Sequence, residues 1–151
     1  YNTASHYIDA LYNIFGETIS QNLICINSKN AFLNQDFDCD FELEFKNAKV
    51  TFISLKNENF FYNSMTIFSS NGKLNYLNGG SLITFQERAD DLSIANNRIL
   101  SDDKNSLPND FNFLQAHVTS NLLGFLRGMP SNLSTGGEAL VTQKIINYLQ
   151  K

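Results

Sequence analysis

Asp36-Phe37-Asp38-Cys39-Asp40-Phe41-Glu42-Leu43-Glu44-Phe45 alternates acidic and apolar residues without a break. Successive side chains of a strand point to opposite faces, so Phe37, Cys39, Phe41, Leu43 and Phe45 share one side and Asp38, Asp40, Glu42 and Glu44 the other. The apolar side must lie against helices and the acidic side against water or a polar surface. Carboxylates in this pattern spread over about 20 Å along the strand and do not converge on one ion, so no metal site is expected.

Toward the C-terminus, Lys46-Asn47 predicts a turn into an antiparallel partner over Lys49–Leu55, with Lys49 placed to offset part of the acidic row. Further strands are expected over Tyr62–Ser69, Leu74–Leu77 and Leu82–Glu87. Asn71-Gly72 predicts a type I′ hairpin and Asn78-Gly79-Gly80 a second turn. Turn chemistry accounts for these glycines, since no G-x-G-x-x-G follows a strand. Ala89–Asn109 reads as a long polar excursion with one short strand near Arg98-Ile99-Leu100.

Pro108 suits the first turn of a helix over Asn109–Arg127, with Phe111, Leu114, Val118, Leu122 and Phe125 as its buried stripe. His117, beside that stripe, is expected to be a packed or boundary residue rather than a catalytic one. Gly128 and Pro130 close the helix. Thr135-x-x-Glu138 forms a capping box for a last helix, Glu138–Leu149, with Val141, Ile145, Tyr148 and Leu149 facing inward.

Toward the N-terminus, the run Leu23-Ile24-Cys25-Ile26 is apolar on both faces and suits an interior strand. Before it, residues 1–16 read as a helix ended by Gly16. Ile8, Leu11, Tyr12 and Phe15 fall on one side, while Asn2, His6, Asp9 and Asn13 form a second, polar stripe. An imidazole titrates near ~6.5 by itself, and a carboxylate one turn away can orient the ring and raise that value. On spacing alone, His6 is either a solvated histidine beside an aspartate or a proton donor and acceptor near neutral pH.

At 151 residues the chain suits one domain with a sizeable core, made aromatic by 13 Phe and 6 Tyr. A formal charge of -4 without a basic stripe argues against nucleic acid as a partner. Runs long enough to span a membrane and signal-peptide patterns are both missing, so no membrane association and a cytoplasmic location are expected. Cys25 and Cys39 lack zinc-site spacing and are expected to be reduced, buried thiols, with a disulfide between neighbouring strands as the alternative. One helix, six or seven mostly antiparallel strands and two helices predict an α+β fold over residues 1–151. In it, an open-faced sheet carries its helices on one face.

The pattern Asn2-x-x-x-His6-x-x-Asp9, with Leu11 and Phe15-Gly16 after it, resembles the opening of the C-terminal domain of the Gfo/Idh/MocA oxidoreductases, whose motif there is Asp-x-x-x-His-x-x-Asp. The hairpin run from Met65 to Leu74 with Gly79-Gly80 behind it resembles the sheet of that domain, and the serine-bearing loop before Ala139-Leu140 resembles its close. Asn2 departs from the family's Asp; an amide cannot ionise, which leaves it hydrogen bonding to substrate or to His6.

The resemblance implies the substrate-binding and dimerisation half of an NAD(P)-dependent dehydrogenase acting by hydride transfer on a sugar, nucleotide sugar or polyol. His6, with Asn2 beside it, would be catalytic, and Asp9, Ser5 and Tyr1 would hold the substrate. NAD or NADP would bind a Rossmann domain preceding Tyr1, so neither a cofactor-binding residue nor a metal is expected in this chain. The open sheet face would serve a homo-oligomer. A non-catalytic saccharide-binding or dimerisation module is the alternative on the same residues.

Overall fold

The computed structural model describes residues 2–25, 40–55, 60 and 62–149, and among them the chain is α+β, with three α-helices and two antiparallel sheets. In chain order the elements are α1 (Asn2–Phe15), β1 (Thr18–Cys25), β2 (Asp40–Phe45), β3 (Ala48–Phe52), β4 (Ser64–Ser69) and β5 (Gly72–Leu77). They continue as β6 (Leu82–Asp90), β7 (Arg98–Leu100), β8 (Asn105–Leu107), α2 (Leu114–Leu126) and α3 (Gly136–Leu149). The chain divides into two units, Tyr1–Lys56 with Asn132–Lys151, and Asn57–Ser131. The strands expected in a single sheet are shared between a three-stranded and a five-stranded one. Alternation fixes which face a strand buries but not which strand it pairs with across a link, so the pattern did not distinguish one sheet from two.

In the first unit the strand order is β1-β2-β3. The alternation of β2 behaves as its residues demand: Phe41, Leu43 and Phe45 are buried, and the glutamates lie on the other face. On that face Lys49 Nζ sits 2.8 Å from Glu42, Thr51 donates to Glu42 at 3.2 Å, and Ser20 donates to Glu44 at 2.9 Å. Phe37, Asp38 and Cys39 lie outside the described residues, and the expectation for the two thiols lies there with them. Among the described residues β1 pairs with β2 alone and so lies at the edge of its sheet rather than inside it, and Ile19 and Ile24 on it stay exposed. A run apolar on both faces does not report which edge of a sheet it occupies.

Helix α1 buries Ile8 and Leu11 almost completely, and its Phe15 ring lies 5.5 Å from that of Phe45. It ends at Gly16, whose φ of +83° suits glycine and whose N–H donates to Tyr12 O at 2.8 Å. Helix α3 opens on the expected capping box: Thr135 N–H donates to Glu138 Oε2 at 2.6 Å and Glu138 N–H to Thr135 Oγ1 at 3.3 Å. The backbone N–H of Thr135, then its hydroxyl, hold the Glu138 carboxyl below its ordinary pKa.

Its buried stripe is Thr142, Ile145, Ile146 and Leu149, whereas Tyr148 is exposed and Val141 only half-buried. Positions 142, 145, 146 and 149 follow helical spacing without a miss; ranking residues by apolarity skipped Thr142 and promoted Tyr148.

In the second unit, β4, β5 and β6 form a meander in which Met65, Tyr76 and Ile83 stand in register, as do Ile67, Leu74 and Phe85. On the other face Thr66, Asn75 and Thr84 form a hydrogen-bonded row with links of 3.2 Å. The expected hairpin forms between β4 and β5, but its loop residues are Ser70 and Asn71 and neither has positive φ, so the turn is not type I′. Gly72 has φ +153°, and a Cβ there would collide with the carbonyl oxygen of Gln86. Close approach to β6, rather than the turn, requires that glycine.

The polar excursion contributes two short strands, β7 and β8, both paired to β6. Between β6 and β7, Asp91 Oδ1 accepts from the N–H and hydroxyl of Ser93 and from Ile94 N–H, and Asn97 donates to Oδ2. These donors, the Ser93 hydroxyl first, pull the Asp91 pKa down to about 2.

A 3₁₀ turn at Phe111–Phe113 precedes α2, so the α-helix starts at Leu114 rather than beside Pro108. Phe111, Leu114, Val118, Leu122 and Phe125, expected as a buried stripe, are exposed. Periodicity shows that a helix face is apolar, not that anything covers it. His117 is exposed too, and pairs with Asp110 at 3.5 Å rather than packing into a core.

Candidate functional site

Helices α1 and α3 pack against each other in the first unit and leave an open cleft of about 290 Å³ between them. Ser5, His6 and Asp9 reach it from α1; Ala139, Thr142, Gln143 and Ile146 reach it from α3, and Ser134 from the loop before α3. Helical geometry explains both walls, since residues three and four apart share a face. Burial of Ile8 and Leu11 on the inner side of α1 turns Ser5, His6 and Asp9 toward the cleft.

Among the residues expected at a site, the structure brings Ser5, His6 and Asp9 together. Asn2 is the first residue of α1, one turn before His6, and Tyr1 lies outside the described residues. The Asp9 carboxylate does not engage the imidazole one turn away: its Oδ1 accepts a hydrogen bond of 2.9 Å from the Ser134 hydroxyl, 125 positions along the chain. That bond ties the loop before α3 to α1. The His6 side chain is exposed at the rim, open to a partner from solvent.

Sequence reasoning missed Ser134, Thr142 and Gln143. The spacing of α3 contained a signal for Thr142, a polar residue on an otherwise apolar stripe. Ser134 meets Asp9 only through the tertiary fold. Thr142 is 7 % exposed, and its Oγ1 is buried without a hydrogen-bond partner. Leaving a buried hydroxyl unmatched costs about 1–3 kcal/mol.

Among the described residues neither Lys nor Arg lines the cleft, and one oxygen of its carboxylate, Asp9 Oδ1, accepts from Ser134. Such a lining matches a neutral polar ligand rather than a phosphate or carboxylate. At the N-terminus of α3 the Glu138 carboxylate, which accepts from Thr135 N–H, places a negative charge that opposes a second anion such as a pyrophosphate. Among the described residues no three side chains of metal-ligating type cluster, and no helix is long and apolar enough to cross a membrane. A smaller cavity of about 190 Å³ lies in the second unit beside His117, Asn121 and Met129.

Compared with protein-family models, with curated proteins and with solved structures, the chain has no significant match.

Proposed function

We propose that the cleft between α1 and α3 binds a small saccharide or polyol, and that the chain is the substrate-binding half of an NAD(P)-dependent dehydrogenase for such a ligand. One observation supports this reading above the others. The residues that the family resemblance implies for proton exchange and hydroxyl binding, His6 with Ser5 and Asp9, line one cleft, and two further hydroxyl-bearing residues, Ser134 and Thr142, line it with them. In this reading the dinucleotide is held by a domain outside this chain. The cleft's own part is to seat the substrate and to exchange a hydroxyl proton at His6, whose ring must come within about 3 Å of the reacting oxygen. Its exposure at the rim meets that requirement of access. A monosaccharide or cyclic polyol suits the volume better than a nucleotide sugar, because about 290 Å³ is at the small end of ligand pockets, which run roughly 300–1,000 Å³.

In the protein that joins this chain to a dinucleotide domain, His6→Ala should lower kcat by about 10²-fold or more and change KM far less. Unchanged turnover removes the dehydrogenase reading. A second reading, a non-catalytic saccharide-binding or dimerisation module, is favoured by the exposed apolar side chains of α2, which suit a protein interface. Saccharide binding with no redox activity in any context would select it.

A further inference from the structure

We infer that Thr142 is the specificity-determining residue of this cleft, the group that reads a hydroxyl of a neutral, polyhydroxylated ligand; the inference rests on the proposal that the cleft is a ligand site. A helical threonine ordinarily satisfies its hydroxyl on its own helix, as Thr119 does by donating to Gln115 O at 2.9 Å. Thr142 makes no corresponding bond to the carbonyl of Glu138, although its side chain is more than nine-tenths buried. Valine has the same shape and would bury at this position without an unmatched polar atom. The cost is borne where a ligand can supply the missing partner.

Each of the neighbouring polar groups already has one partner. Asp9 holds Ser134, Gln143 Nε2 donates to Asn147 Oδ1 at 2.8 Å, and Ser5 has an interaction of its own. Among the described residues, His6 stands exposed on the α1 wall, while Thr142 on the α3 wall keeps a buried hydroxyl that has no partner. A hydroxyl both donates and accepts, and its natural counterpart is another hydroxyl. Threonine in a helix occupies two χ1 states, so rotation about Cα–Cβ exchanges the hydroxyl with the methyl without moving the backbone. With no Lys or Arg in the lining, a phosphorylated sugar is disfavoured while the parent sugar is not.

The test is thermal melting and isothermal titration of the full chain and its Thr142→Val, Thr142→Ser and His6→Ala variants, with myo-inositol, glucose and glucose 6-phosphate as probes. Thr142→Val should melt higher than the parent without ligand, because an unmatched hydroxyl is gone, yet bind the neutral probe about tenfold or more weaker. Thr142→Ser should bind within about threefold of the parent, and glucose 6-phosphate should raise no melting temperature. If Thr142→Val binds the neutral probe as tightly as the parent while His6→Ala does not, Thr142 has no such role and the cleft reading survives. If neither neutral probe binds the parent, both the inference and the reading beneath it fall.

Discussion

The two units of the chain are stabilised in different ways. Among the described residues, every nearly or fully buried apolar side chain, Ile8, Leu11, Phe41, Leu43, Phe45, Ile145, Ile146 and Leu149, belongs to the first unit. In the second, the registered rows Met65–Tyr76–Ile83 and Ile67–Leu74–Phe85 remain half-buried and α2 exposes its apolar side chains. Full burial of a large apolar side chain stabilises by roughly 1.5–3 kcal/mol, whereas a cross-strand pair adds about 0.2–1 kcal/mol. Burial therefore holds the first unit and register holds the second. The candidate cleft lies in the first, where packed helices α1 and α3 hold its walls in fixed positions.

Core truncation should separate the two units most sharply. Leu43→Ala, at a position with no exposure, should cost about 2–5 kcal/mol in urea unfolding, whereas Leu74→Ala, half-buried in the second unit, should cost about 1 kcal/mol. Equal losses would erase the distinction. A backbone change should act on the second unit alone. Gly72→Ala forces a Cβ onto the Gln86 carbonyl and should cost about 1–3 kcal/mol, with amide exchange rising in β4 to β6 and not in β2.

Smaller effects sharpen the comparison at helix and loop ends. Thr135→Ala removes the hydroxyl half of the capping box and should cost about 1 kcal/mol, seen as faster exchange in the first turn of α3 alone. The weakest effect is on the acid side. Asp91 in the second unit and Glu138 in the first both have lowered pKa values, so each contributes stability above its unfolded pKa and loses it as pH falls through the folded value. For Asp91 that window runs from its ordinary value of 3.8 down to about 2. Melting temperature followed from pH 6 to 2 should fall less steeply in Asp91→Asn over that window, and an unchanged slope would mean its hydrogen bonds add nothing.

How much of this was legible depended on whether the governing physics is local. The alternation of β2, the Gly16 terminus, the Thr135–Glu138 capping box and the shared face of His6 and Asp9 on α1 involve neighbours a few residues apart, and the structure has each of them. The division into two sheets, the outer position of β1 and the exposure of α2 depend on which surfaces meet, which periodicity does not encode. At the site, His6 and Asp9 were accessible through one helix stripe and Ser5 only through the family resemblance, while the Asp9–Ser134 bond spans nearly the whole chain. Thr142 was not singled out from the sequence, because a search for apolar positions passes over a polar residue; its buried, unmatched hydroxyl is visible only in the fold.

Backbone amide shifts of the isotope-labelled chain, recorded as glucose or myo-inositol is added, test the central claim most directly. Saturable shifts clustered at Ser5, His6, Asp9, Ser134 and Thr142, with β4 to β6 and α2 unmoved, are the expected result. Shifts centred on the second unit, or none anywhere at millimolar ligand, would contradict it.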